Sequence, residues 1–160
     1  MVRDAEAFLG SFWAQERALV AGGLLPIPGT WWRDTINRFY RSGKSHFVVR
    51  KGRRVKASTA VAPRIAVAEM LYGEHRHIPG TPPIKYAFLS VLREEASARL
   101  SGITAILDIL KVEYDEVGTT IALRNRPAEF VVITANYRAS VGGTVAFAWC
   151  DEVSRWNDAK

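Results

Sequence analysis

Apolar residues recur at helical intervals near the start of the chain. Phe8, Leu9, Phe12, Trp13 and Leu19 mark the segment Asp4 to Ala21, and Gly22-Gly23 stops the pattern, which predicts a first helix. After a turn-rich stretch from Pro26 to Thr30, the same spacing returns through Trp32, Ile36 and Phe39-Tyr40. A second helix over Trp31 to Arg41 follows, ended by Ser42-Gly43. The rhythm then changes. His46 to Arg50 is a short strand-like run, Lys51 to Ala57 is basic and irregular, and Ser58 to Tyr72 is rich in Ala and Val with helical periodicity. Pro63 lies early enough in that segment to be tolerated in a first turn or to bend it.

The second half alternates more quickly. Gly73 to Pro83 reads as a surface loop, Ile84 to Val91 as a buried strand and Leu92 to Leu110 as a long amphipathic helix. Val112 to Asp115 and Thr119 to Leu123 read as short strands around a turn at Glu116 to Gly118. Phe130 to Ala135 and Thr144 to Cys150 read as further strands. Strands alternating with helices predict an α/β fold with a mainly parallel sheet covered on both faces. Little chain follows Cys150, so the edge of the Thr144 to Cys150 strand is expected to be exposed, with unpaired backbone groups that favour self-association.

Composition narrows the picture modestly. At 160 residues, with 48% apolar and 24% charged residues, the chain has the size and balance of one globular domain. Repeats, low-complexity segments and interdomain linkers are absent from the sequence. Asp4, Glu6, Glu16 and Arg17 interrupt the apolar pattern of the N-terminus, so it reads as neither signal peptide nor membrane span, and a soluble intracellular protein is expected. The lone Cys150 excludes an intrachain disulfide and a multi-cysteine metal site, and is expected to be a small core residue. The net charge of +6 matters chiefly through its placement: eight of the 22 Lys and Arg fall between Arg38 and Lys56, where phosphate would be sought.

That basic stretch, Val48-Val49-Arg50-Lys51-Gly52-Arg53-Arg54-Val55-Lys56-Ala57-Ser58-Thr59, lies between a predicted strand and a predicted helix. A loop in that place directs backbone N–H groups and the helix dipole at an anion, and a hydroxyl at the helix start can hold Mg2+. The standard phosphate-loop pattern wants Gly, four residues, then Gly-Lys-Ser/Thr. With Ser58 as the metal-binding hydroxyl, Ala57 stands at the lysine position, Lys56 at the second glycine and Lys51 at the first. A lysine at the front of the loop can reach the same phosphates from the other side. The alternative register makes Lys56 the phosphate lysine but puts Ala57 at the hydroxyl position and loses the metal ligand, so the pairing of Lys51 with Ser58 is preferred. Taken alone, a basic loop is more often a solvated face or a nucleic-acid contact.

A second feature changes that balance. Val145 to Cys150 is an apolar strand that runs into Asp151-Glu152. An Asp there can organise Mg2+ and its waters, and the Glu can orient or deprotonate an attacking water. The loop and the carboxylates, about ninety residues apart, look like Walker A and Walker B of an ATPase with additional strands in its core. The ensemble of Phe47 to Val55, Phe88 to Ala96, Ile133-Thr134-Ala135 with Arg138, Gly142 and Thr144, and Cys150-Asp151-Glu152-Val153 resembles the large terminase subunits of tailed bacteriophages and prophages, from about Trp31 onward.

The resemblance implies an incomplete RecA-like P-loop NTPase three-layer sandwich with N-terminal helices: residues 1–43 as a helical segment and 44–160 as a partial ATPase core. It implies a ring-forming ATPase that drives double-stranded DNA into a procapsid, with ATP and Mg2+ as cofactors. The portal protein, the small terminase subunit and further copies of the chain are its implied partners, and the cytoplasm of an infected or lysogenic bacterium is the implied location. By position, Lys51, Gly52, Arg53, Arg54, Val55, Lys56, Ala57 and Ser58 would bind the nucleotide, Ser58 and Asp151 would act through Mg2+, and Glu152 would be the catalytic carboxylate, with Arg53 or Arg54 stabilising charge. Family members continue into a coupling motif, the rest of the ATPase domain and an acidic nuclease domain, so the sequence is expected to be an N-terminal piece. The alternative is an inactive prophage remnant or a module that binds DNA or a partner without hydrolysis; another helicase-like ATPase is a third reading.

Other residues are weighed against bland roles. Trp31 and Trp32 suit core packing, or an adenine ring stacked on one of them. Arg93, Arg99 and Arg138 are arginine-finger candidates, although a surface arginine is the commoner role. His75 and His77 form a loop pair with only Glu74 nearby, and Glu94 and Glu95 suit the start of a helix.

Overall fold

Helical spacing at the N-terminus becomes two helices, α1 (Ala5–Ala21) and α2 (Gly29–Arg41), in the structure, a computed structural model that describes residues 4–49, 56–74, 83–90, 93–134 and 144–151. Asp4 caps α1 through its carboxylate, which accepts from the Ala7 amide at 3.0 Å. Glu6 and Arg41 tie the exposed faces of α1 and α2 together by two hydrogen bonds of 2.6 and 3.1 Å. The Arg41 guanidinium holds the Glu6 carboxyl below the usual carboxylate range.

A π-helical turn, Ala57–Val61, runs directly into α3 (Ala62–Tyr72). Pro63 stands at the second position of α3, where its missing N–H does least harm. The remaining elements are β1 (Ile84–Ser90), α4 (Arg93–Ile109), β2 (Tyr114–Val117), β3 (Thr120–Leu123), β4 (Ala128–Thr134) and β5 (Val145–Cys150). They form a five-stranded sheet in the order β2-β3-β4-β1-β5. β1 pairs in parallel with β4 and with β5, whereas β2, β3 and β4 pair antiparallel. The sheet is thus mixed, with a parallel part and a hairpin on one edge. Gly118 has a φ of +61° in the two-residue loop of that hairpin, a conformation glycine adopts without a Cβ clash.

Strand alternation sends Tyr86, Phe88, Phe130, Val132, Ile121 and Leu123 into one core with Ala66, Val67 and Met70 of α3 and Leu100, Ile103 and Leu107 of α4. A second core joins Phe8, Leu9 and Phe12 of α1 to Trp32, Ile36 and Tyr40 of α2 and to Ala57, Val61, Ile65 and Ala68. Phe147 and Trp149 of β5 touch both cores. The two helices on the sheet, α3 and α4, cover the same face. Ala87 and Val131, which alternate to the other face, are buried as well.

Two expectations differ from the structure. Residues 46–49 are not a strand: Val48 is 91% exposed, and an apolar run with no ladder partner among the described residues gains nothing from its β propensity. Cys150 is exposed rather than a core residue, because Phe147 and Trp149 take the inward positions of β5 and period two sends Ala148 and Cys150 outward. Among the described strands β5 lies at a sheet edge, with β1 as its ladder partner. No helix among the described residues is long and apolar enough to cross a membrane.

Candidate functional site

The carboxyl ends of the parallel strands are where an open α/β sheet presents a ligand crevice, and the chain direction of each element decides what arrives there. Arg126, just before β4, donates to the Met70 and Leu71 carbonyls at 3.0 and 2.7 Å, which fixes the end of α3 beside the start of the strand. α3 therefore runs antiparallel to the strands, and its beginning, the turn Ala57–Val61, lies toward their carboxyl ends. α4 starts just after β1 and packs against that turn. β5 ends at the same level, where the Asp151 amide donates to the Leu89 carbonyl at 2.9 Å.

Ser58 and Asp151 are thereby brought to the same end of the same sheet face, and both are buried, at 5% and 4% exposure. Among the described residues, no group of three or more His, Cys, Asp and Glu side chains could hold a metal ion. A hydroxyl and one carboxylate, both oxygen donors, fit Mg2+, which keeps most of its waters and takes other ligands from phosphate.

Lys56 opens the turn in a left-handed conformation, with φ +52° and ψ +23°. Its carbonyl accepts from the amides of Ala60 at 2.9 Å and Val61 at 3.3 Å, so it caps the helix start with its backbone. A lysine in this region is strained by about 1–2 kcal/mol relative to an ordinary helical conformation, a cost glycine escapes. Lys56 stands where the Ser58 register of the phosphate-loop pattern puts its second glycine. Lys51, Gly52, Arg53, Arg54 and Val55 lie outside the described residues, as do Glu152, Arg138, His75 and His77.

Arg99 departs from its expectation. It is 8% exposed, in the early part of α4, with Nη2 3.8 Å from Oδ2 of Asp151 and its guanidinium 5.3 Å from the centre of the Phe88 ring. Buried and turned toward Asp151, it is not available to reach a neighbouring subunit. Its partnership with Asp151 could not be read from the sequence, because it depends on α4 folding back over β1 and β5. Trp32 is core, as expected, and Trp31, 56% exposed, meets it edge to face at 4.7 Å.

No family model matches the chain, and no curated protein matches it. Among solved structures, the crystal structure of the HK97 bacteriophage large terminase is similar in fold, with a TM-score of 0.68 and 18% sequence identity over 97% of this chain. The chain spans 32% of the length of that terminase. At this identity the likeness concerns the fold.

Proposed function

We propose that the chain carries the nucleotide-binding part of a DNA-packaging ATPase of the large-terminase type. The observation that carries this reading is that a helix start bearing buried Ser58 and the end of β5 bearing buried Asp151 lie toward the carboxyl ends of the parallel strands. The fold likeness to a phage large terminase supports the same reading.

In this reading the finer fold is RecA-like. Backbone amides at the start of the Ala57–Val61 turn, together with Lys51 to Lys56, bind the ATP phosphates, and the helix dipole adds to the attraction. Ser58 and Asp151 hold Mg2+, which neutralises charge on the phosphates when bound. Glu152 orients the attacking water, and Arg53 or Arg54 stabilises charge developing on the transferred group. In a longer chain, subunits arranged as a ring on the portal protein, served by the small terminase subunit, would couple this chemistry to movement of double-stranded DNA.

One observation favours a second reading, a module that binds without hydrolysis: Asp151 is buried and already faces an arginine. Titration calorimetry with Mg-ATP separates the two. The parent is expected to bind, Lys51→Ala to lose at least roughly tenfold in affinity, equivalent to about 1.4 kcal/mol, and Lys56→Ala to stay near the parent. Loss confined to Lys56→Ala would support the other register. A folded parent that binds no nucleotide would leave the second reading.

A further inference from the structure

Arg99 has the surroundings of a charge kept for one purpose. Its guanidinium lies over the Phe88 ring, a contact that holds the group without using its hydrogen-bond donors. Its Nε is buried with no hydrogen-bond partner among the described residues. Toward Asp151 it makes a single charge contact of 3.8 Å, not the short bidentate fork by which arginine locks a carboxylate. Phe88 pairs in register with Trp149, so Phe88, Arg99 and Asp151 share one face of the β1–β5 ladder.

From this geometry we infer that Arg99 is a positioning residue: an internal counter-ion that helps hold Asp151 at the end of β5 before a divalent cation arrives, and that competes with the cation for the carboxylate. The inference rests on the reading of Asp151 as a cation-organising residue. A buried carboxylate needs an opposite charge, and the loose contact with a guanidinium clamped on Phe88 supplies one that can yield. Arg99 therefore sets how strongly the site takes a cation, and ties that affinity to the stability of the cation-free protein.

Mn2+ binding, followed by the loss of the free-ion signal in electron paramagnetic resonance with and without ATP, tests this together with thermal unfolding. Arg99→Met is expected to bind Mn2+ roughly tenfold more tightly than the parent. It is also expected to melt at lower temperature without cation and to recover when Mn2+ is added. Arg99→Gln, neutral but able to hydrogen-bond, is expected to move the same way and carries the test should Arg99→Met not fold. Asp151→Asn combined with either variant is expected to remove the cation response. Unchanged Mn2+ affinity in the Arg99 variants, beside a parent that binds Mn2+ with ATP, would overturn the inference and leave the nucleotide-site reading standing. A folded parent that binds no Mn2+ even with ATP would overturn both.

Discussion

Replacing Arg64 with methionine is expected to cost about 3–5 kcal/mol of stability, the range seen when one member of a buried ion pair is removed. Arg64 Nε stands 2.7 Å from Glu16 Oε2, with both side chains nearly excluded from water. The two atoms lack the alignment of a hydrogen bond, so the contact is one of charge. The other guanidinium nitrogens donate to the Ala60 carbonyl at 2.7 Å and the Leu25 carbonyl at 2.6 Å. Glu16 accepts from the Ile27 amide at 2.8 Å, and Gln15 donates to the Arg64 carbonyl at 3.0 Å. One side chain thus ties α1, the connection before α2 and the turn that carries Ser58. Arg64→Met leaves the nearly buried Glu16 carboxylate without its counter-charge and removes the side-chain donors to the Ala60 and Leu25 carbonyls. The double variant Arg64→Met with Glu16→Met removes the stranded charge and is expected to recover much of the loss. Urea denaturation of the two single variants and the double measures this directly; a double variant as unstable as the sum of the singles would show that packing, not charge, sets the cost.

Phe12→Ala is expected to cost a similar amount, about 3–5 kcal/mol, by opening a cavity in a fully enclosed site. Its ring meets Trp13 edge to face at 4.8 Å and lies 6.5 Å from Phe8. It belongs to the core that also contains Trp32 and Ile36 of α2 and Val61 and Ile65 near the start of α3. The consequence reaches beyond stability, because Ala57 and Val61 hold the turn on which Ser58 sits. In thermal unfolding, a loss of this size corresponds to a fall in Tm of roughly 10 °C for a chain of this length. Phe12→Leu, leaving a smaller void, is expected to fall less. Equal losses in the two variants would mean the surrounding helices do not retain the cavity.

The helices were legible because their apolar spacing and stop signals are local: Gly22-Gly23 follows α1, and Ser42-Gly43 follows α2. The β2–β3 hairpin was legible for the same reason, through the turn at Gly118. Sheet order, and which face the helices cover, depend on contacts between distant segments, and local patterning carries no record of them. Phe47-Val48-Val49 has strand-forming residues but no ladder partner among the described residues, so composition alone misled. At the candidate site, the sequence pointed to Ser58 and Asp151 through their positions after the basic loop and after β5. It could not reveal that Arg99 meets Asp151, nor that Lys56 adopts the left-handed conformation.

Amide hydrogen exchange of the parent chain, with and without saturating Mg-ATP, shows whether nucleotide binds at the carboxyl ends of the parallel strands. Exchange is expected to slow at the amides of the Ala57–Val61 turn and at Asp151, with the β2–β3 hairpin unchanged. A folded chain whose exchange is the same in both conditions, or slows only at the hairpin, would contradict a nucleotide site at the carboxyl ends of β1 and β5.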